Sequence, residues 1–154
     1  MAHRLVFPLD TNLYGRSLGH AFPHRFLPGG KGGLYGWQYV RQCRELVLVE
    51  GLFDWAVLWQ AGFRNVVCSL GTGLNSTQLH QLCGGATRTV YLAFDSDANG
   101  SGLRAAHQLA QRLLGRGIEA LPVELPAGHD PNSFFVHGGG DAQRFQMLLE
   151  RARS

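Results

Sequence analysis

The sequence predicts an α/β fold in which a doubly wound, mainly parallel sheet of about four strands has helices on both faces. Residues 46–49 form an unbroken apolar run, which is typical of a strand buried on both faces of a parallel sheet. Residues 89–94 form a second strand of the same kind. Each run is followed by a turn and then by apolar residues at helical spacing. Strands that alternate with helices in this way build a doubly wound sheet.

Acidic side chains follow both of these strands. Glu50 comes directly after the first strand, and Asp95 and Asp97 follow the second. Because ligands of open α/β sheets bind at the carboxyl ends of the strands, we expect the three carboxylates to converge there. Carboxylates brought together would repel one another unless a divalent cation neutralised them, and oxygen donors suit Mg²⁺ or Mn²⁺. The sequence therefore predicts a Mg²⁺ or Mn²⁺ site at this edge of the sheet.

A fourth acidic residue, Asp54, lies about one helical turn beyond Glu50 and faces the same end of the sheet. An aspartate in the first turn of a helix also interacts favourably with the helix dipole, which is a purely structural role. The sequence leaves both interpretations of Asp54 open. Residues 95–100 are similar to the start of an EF-hand loop, but no glutamate stands at the twelfth position, which argues against calcium binding.

The chain has the length and composition of one globular domain, with 154 residues of which 45% are hydrophobic. No apolar run approaches the roughly 20 residues needed to span a bilayer, and the first residues lack the apolar core of a signal peptide. We therefore expect a cytoplasmic protein with no membrane partner. Cys43, Cys68 and Cys83 are too widely spaced for a disulfide framework or a CxxC-type zinc site, so we expect no zinc site in this chain.

The formal net charge of +3 is unevenly distributed along the chain. Residues 1–44 hold six basic residues and one acidic residue, a net charge of +5, whereas residues 45–154 hold eight arginines and ten acidic residues. Such a basic segment is either a solvated face or a nucleic-acid surface. Thirteen of the fourteen basic residues are arginine, which binds phosphate bidentately and stacks on bases, and this favours nucleic acid. We predict a small basic α+β segment over residues 1–44 and the α/β domain over residues 45–154.

Several short motifs resemble the Toprim domain of bacterial DnaG-type DNA primases. Residues 49–54, Val-Glu-Gly-Leu-Phe-Asp, are similar to the end of its first strand. Residues 69–72, Ser-Leu-Gly-Thr, and residues 126–131, Pro-Ala-Gly-His-Asp-Pro, are similar to two of its loops. The likeness extends from about Gly15 to Phe135 and implies a Toprim fold, which is Rossmann-like.

The resemblance implies metal-dependent nucleotidyl transfer, in which RNA primers are made on a single-stranded DNA template from nucleoside triphosphates. It implies catalytic and metal-binding roles for Glu50, Asp95 and Asp97. Asp54 and Asp130 would be outer or second-metal ligands, although Asp130 is also placed to cap a turn. The resemblance further suggests a replicative helicase, or a zinc module on another chain, as a partner.

Three basic residues are expected to hold the template or the triphosphate. Arg16 lies in residues 15–19, Gly-Arg-Ser-Leu-Gly, which resemble a turn of the basic subdomain in the primase family. Arg25 stands where that family has a lysine motif. Lys31 lies in the glycine-rich loop 29–33, which is either a flexible connector or a loop whose backbone approaches phosphates.

The sequence departs from the primase pattern at two places near the acidic residues. Two extra residues precede Ala105 and Ala106, and Asn132 stands where the family has a further acidic residue. The second departure weakens a second-metal site. Two alternative functions also stay open. The same carboxylates suit phosphodiester hydrolysis by a Toprim-type nuclease, and a nucleic-acid-binding Toprim remnant of a mobile-element primase would need no catalysis.

Overall fold

The computed structural model describes residues 2–9, 12–19, 23–71 and 73–154. The chain divides into two compact units, Met1–Gly33 and Leu34–Ser154. The charge distribution predicts a later boundary, between residues 44 and 45, and helix α1 (Trp37–Val40) lies between the two positions. The predicted boundary marks the end of the basic segment in the sequence, which compactness does not test, so it stays a prediction.

The described part of the first unit is an antiparallel sheet with the strand order β1-β2-β3. Tyr14 of the central strand pairs with Phe7 on one side and with Phe26 on the other. The three rings therefore share one face of the sheet, with the Tyr14 and Phe26 centroids 4.8 Å apart. The strands are β1 (Arg4–Pro8), β2 (Leu13–Ser17) and β3 (Arg25–Phe26).

The second unit contains a four-stranded sheet in which every neighbouring pair is parallel, with the order β5-β4-β6-β7. The sequence-based prediction of a doubly wound, mainly parallel α/β fold is confirmed. The strands are β4 (Glu45–Val49), β5 (Val66–Cys68), β6 (Thr89–Leu92) and β7 (Glu119–Pro122). The helices are α1 (Trp37–Val40), α2 (Leu52–Gln60), α3 (Ser76–Gly84), α4 (Ser101–Leu114), α5 (Pro131–Val136) and α6 (Ala142–Arg153).

Strand β4 is buried on both faces because helices cover the sheet from both sides. Leu46 and Leu48 belong to one apolar cluster with residues of α1, α3 and α4. Val47 and Val49 are also fully buried, and by the alternation of a strand they point to the opposite face, where Phe145 of α6 is completely enclosed. Among the described residues, no helix combines the length and the apolar character needed to cross a bilayer.

Asp54 links helices α2 and α5. Its carboxylate is buried, with only 8% of the residue exposed, and Oδ1 accepts a hydrogen bond from the backbone N–H of Asn132 at 2.9 Å. Burial is the main cause that raises the pKa of Asp54 from its ordinary 3.8 to about 7, and the charge of Asp130 adds to it, against the backbone N–H of Asn132. The helix pair is therefore joined through a carboxyl group that the fold favours in its protonated form.

We predict that Asp54 makes folding stability depend on pH in the absence of divalent metal. Because the folded-state pKa lies above the unfolded value, the stability that this group contributes is present below about pH 4 and is lost as the pH rises through about 7. Asp54→Asn should match the parent near pH 4. At pH 8 it should be more stable by up to about 4 kcal/mol, at 1.4 kcal/mol per unit.

Urea unfolding of both proteins in chelator at pH 4, 6 and 8 measures this difference in the free energy of unfolding. Glu150→Gln, which removes an exposed carboxylate of α6, is the matched control and should show no such trend. A difference between parent and Asp54→Asn that does not change with pH would contradict the prediction.

Candidate functional site

The parallel pairing of β4 with β6 brings Glu50 and Asp95 together. Leu48 lies opposite Leu92 in the register, and the N–H of Ala93 donates to the carbonyl of Leu48 at 3.0 Å. Both strands therefore end at the same edge of the sheet. After the larger effect of burial, the Asp95 charge raises the pKa of the Glu50 carboxyl group and the backbone N–H of Asp95 lowers it, so the two strand ends lie close together.

Five carboxylates at this edge act on one another electrostatically. Burial raises the pKa of Glu50, and the charges of Asp95 and Asp97 raise it further, against the hydrogen bond from the Asp95 N–H. Burial also raises the pKa of Asp95, with added effects from Asp130 and Asp97. After the larger effect of burial, the charges of Asp130 and Asp95 raise the pKa of Asp54. The acidic cluster, Glu50, Asp54, Asp95, Asp97 and Asp130, is thus a region of unfavourable like charge.

Asp97 has its main partners at the start of helix α4. Its Oδ1 accepts the backbone N–H of Ser101 at 2.9 Å, and its Oδ2 accepts the Ser101 hydroxyl. The hydroxyl hydrogen bond is the main cause that lowers the pKa of Asp97, which is the opposite direction from Glu50 and Asp95. Sequence reasoning missed Ser101, although a serine four residues after an aspartate at a helix start is a signal for this interaction.

Asp130 caps helix α5. Its Oδ1 accepts the N–H of Ser133 at 2.7 Å, and the Ser133 hydroxyl accepts the N–H of Asp130 at 3.0 Å, which completes a capping box. The capping role that the sequence left open is therefore present. Its charge nevertheless reaches Asp95 and Asp54, so capping does not remove Asp130 from the electrostatics of the cluster.

The loop that carries Asp95 and Asp97 is fixed by backbone contacts that the sequence did not reveal. The N–H of Ser96 donates to the carbonyl of His129 at 2.9 Å, and the N–H of Gly128 donates to the carbonyl of Ser96 at 2.6 Å. These two bonds hold the loop against the segment that leads to Asp130. Gly102 lies so close to Asp95 that an added Cβ would come within 1.9 Å of the Asp95 carbonyl oxygen.

The turn that follows β5 is bonded to the backbone of Glu50. The N–H of Gly71 donates to the Glu50 carbonyl at 2.9 Å, and the Ser69 hydroxyl donates to the Gly71 carbonyl at 2.7 Å. Leu70 takes a positive φ of 59°, which makes the turn tight. Thr72, the last residue of the Ser-Leu-Gly-Thr motif, lies outside the described residues.

The cluster offers only oxygen donors, which is the ligand type that Mg²⁺ and Mn²⁺ prefer. Within the part of the chain that the structure describes, no group of three or more His, Cys, Asp or Glu side chains is assembled closely enough to hold a metal ion. In chemical type, the carboxylate oxygens nevertheless fit a divalent cation. They also fit it in charge, because a cation would relieve the mutual repulsion that raises the pKa of Glu50 and Asp95.

The predicted nucleic-acid residues all lie in the first unit. Arg16 is on β2 opposite Leu5, and Arg25 is on β3 opposite Gly15. The charge of Arg16, together with that of Arg4, lowers the pKa of His24 after the larger effect of burial, so positive charge is concentrated here.

Lys31 lies in the loop after β3. The side-chain amide of Asn12 donates to the carbonyls of Leu27 and Gly30, each at 3.1 Å, and so holds this loop against β2. Gly29 and Gly32 take positive φ angles of 124° and 71°, which favour glycine. The glycine-rich segment around Lys31 is therefore a structured loop with a defined anchor in Asn12.

Comparison with known proteins gives a consistent family. Residues 47–135 match the family described as Toprim-like. The DNA primase of Chlamydia trachomatis serovar D is 32% identical over 97% of this chain. The chain spans only 28% of the length of that relative.

Solved structures of primases have the same fold. The Aquifex aeolicus primase, with its zinc-binding and RNA polymerase domains, superposes with a TM-score of 0.81 at 30% identity, over 97% of this chain and 40% of that one. A DnaG primase catalytic domain bound to single-stranded DNA superposes with a TM-score of 0.78 at 27% identity, over 97% of this chain and 53% of that one. The chain therefore belongs to the Toprim-like family, and its likeness is to the Toprim domain in the catalytic-core region of DnaG-type DNA primases.

Proposed function

We propose that the chain carries out metal-dependent nucleotidyl transfer of the primase type and makes RNA primers on single-stranded DNA. The observation that carries the proposal is the acidic cluster at the carboxyl edge of a Toprim-like sheet, where burial and like charge raise the pKa of Glu50, Asp54 and Asp95. The likeness to DNA primases at about 30% identity supports it. The chain spans less than a third of the curated relative, so the activity of the whole relative is part of the proposal.

In this reaction a 3′-hydroxyl oxygen bonds to the α-phosphorus of a nucleoside triphosphate, pyrophosphate leaves, and the hydroxyl proton must be accepted. Bound Mg²⁺ or Mn²⁺ would supply positive charge for the attacking and leaving oxygens. Glu50, Asp95 and Asp97 would hold the metal, with Asp54 and Asp130 as outer or second-metal ligands. Glu50 is also suited to accept the proton, because burial raises its pKa above that of an exposed glutamate and so makes it a stronger base.

The basic residues of the first unit would hold the template or the triphosphate. Arg16, Arg25 and Lys31 offer the charges that phosphates require, and arginine also stacks on bases. A related DnaG catalytic domain has been solved with single-stranded DNA, which supports a DNA template as the partner. The proposal also includes a cytoplasmic location and cooperation with a replicative helicase or a zinc module on another chain.

One assay distinguishes this function from the two alternatives. Single-stranded template, ribonucleoside triphosphates and Mg²⁺ are incubated with the protein, and the nucleic acids are separated by length. New short RNA indicates a primase, a shortened template indicates a nuclease, and retention of an unchanged template indicates a binding remnant.

We predict that divalent metal binds at the acidic cluster. Calorimetric titration with Mn²⁺ should show binding to the parent and no binding to the double variant Asp95→Ala/Asp97→Ala, because these two carboxylates supply ligands that the other three cannot replace. Glu150→Ala removes an exposed carboxylate from α6 and should bind Mn²⁺ like the parent. Undiminished binding by the double variant would place the metal elsewhere.

We predict that Glu50→Gln separates catalysis from stability. Glutamine keeps the shape of the side chain but removes a charge from a region of like charge, so the thermal midpoint in chelator should equal or exceed that of the parent. Primer synthesis should fall by at least about 100-fold, the scale of losing a positioned acid–base group. A lower thermal midpoint would show that Glu50 is a structural anchor, and full activity would remove it from the site.

We predict that the three basic residues of the first unit contact phosphates. Affinity for single-stranded DNA is measured across a range of salt for Arg16→Ala, Arg25→Ala and Lys31→Ala. Each variant should lower the salt slope by roughly 0.7 units, because one fewer counterion is released from a single strand. Arg144→Ala, an exposed arginine of α6, is the charge-matched control. Three unchanged slopes would show that the segment is only a solvated face.

A further inference from the structure

Arginines precede three neighbouring strands at the amino edge of the second unit's sheet, opposite to the acidic cluster. Arg44 and Arg88 directly precede β4 and β6, and the N–H of Arg88 donates to the carbonyl of Arg44 at 2.8 Å. Arg64 lies just before β5, next to Asn65, whose side-chain amide donates to the carbonyl of Glu45 at 3.0 Å. The three arginines are exposed and lie along one edge.

A continuous series of aromatic rings lies beside Arg64. Tyr35 meets Trp55 edge to face at 5.0 Å, Trp55 stacks on Trp59 at 5.0 Å, and Trp59 meets Tyr39 at 5.3 Å. The Arg64 guanidinium lies 4.6 Å from the centre of the Trp59 ring and also donates to the Trp59 carbonyl. The series therefore ends in an aromatic pair that a planar cation adjoins.

Two residues of this series, Tyr35 and Trp55, cover the outer edge of β5. The indole N–H of Trp55 donates to the carbonyl of Val66 at 3.1 Å, and the backbone of Tyr35 pairs with that of Cys68. These contacts give hydrogen-bond partners to backbone groups of Val66 and Cys68 at the outer edge of β5. Tyr39 takes no part in them, and 60% of the residue remains exposed to solvent.

The arginines at this edge keep their charge available. Within the residues that the structure describes, Arg44, Arg64 and Arg88 form no ion pair with a carboxylate. The nearest acidic residue in sequence, Glu45, is already paired with Arg153 at 2.6 Å. Glu119, which begins β7 beside Arg88, adds one exposed carboxylate at this edge. Against it, the three arginines still give the surface around the exposed Tyr39 ring a net positive charge.

We propose that this aromatic–arginine surface, formed by Tyr39, Trp59, Arg44, Arg64 and Arg88, is a binding site for single-stranded nucleic acid. Bases stack on the exposed face of Tyr39 and on the guanidinium of Arg64, and the phosphates lie against the arginines. An unpaired strand is the ligand that fits, because a duplex does not offer its base faces to an aromatic ring. The site lies outside the acidic cluster and is independent of the chemistry proposed there.

The first test compares two labelled oligomers of about 15 nucleotides, oligo(dT) and an abasic deoxyribose-phosphate strand of the same length. The parent should bind oligo(dT) more tightly, because only this strand has bases to stack. Tyr39→Ala should lose roughly fivefold or more in affinity for oligo(dT) and should bind the abasic strand like the parent. Tyr39→Phe keeps the ring and should retain the preference for bases.

The second test uses Arg64→Ala with Arg144→Ala as the charge-matched control on α6. Arg64→Ala should weaken binding of both strands and lower the salt slope, whereas the control should not change either quantity. Photo-crosslinking of 5-bromouridine-substituted strand to the parent, followed by peptide mapping, should label the peptide that contains Tyr39. Thermal unfolding of each variant checks that the fold is intact at the assay temperature, because Tyr39 and Arg64 also contact Trp59.

The proposal is overturned if Tyr39→Ala and Arg64→Ala bind oligo(dT) like the parent, or if crosslinks map only to the first unit. It is also overturned if the parent self-associates in sedimentation experiments and Tyr39→Ala abolishes this, since the surface would then be a protein interface. Mn²⁺ binding and primer synthesis with saturating template are measured on the same variants. Normal values there, with lost base preference, separate this site from the function of the acidic cluster.

Discussion

The burial of strand β4 on both faces is the constraint on which the second unit depends. Its residues from Leu46 to Val49 are completely enclosed, and β5 and β6 pair with it on either side. A strand without any solvated face requires helices above and below the sheet, and parallel neighbours require crossover connections to supply them. After these four buried residues, the first residue with access to solvent is the half-buried Glu50.

The same burial explains why the acidic cluster is costly to fold. The Glu50 carboxylate, at the end of an enclosed strand, loses solvent, and the charges of Asp95 and Asp97 act on it as well. The chain reduces this cost locally through hydrogen bonds: Ser101 satisfies Asp97, Ser133 satisfies Asp130, and the N–H of Asn132 satisfies Asp54. The three aspartates therefore have internal hydrogen-bond partners in the structure.

Hydrophobic patterning was sufficient to predict the parallel sheet and the convergence of strand ends, because an unbroken apolar run reports burial directly. It was not sufficient for α1 and α5, which have four and six residues and are too short to show a helical period. Hydrophobic patterning also could not predict the hydrogen-bond partners of the Asp97 and Asp130 carboxylates. Each carboxylate binds a backbone N–H a few residues further on, and residue type alone does not distinguish such a bond from metal ligation.

Opposite charges at the two ends of one sheet give the second unit a permanent electric dipole along its strands. The carboxylates after β4 and β6 form its negative pole. Arg44, Arg64 and Arg88 form its positive pole, where Glu45 is paired with Arg153 and Glu119 is also exposed. If the aromatic–arginine surface binds nucleic acid as proposed, this separation of charge turns the arginine end of the unit toward the phosphates before contact. Approach is then no longer random in orientation, and added salt, which shortens the range of the field, restores the randomness.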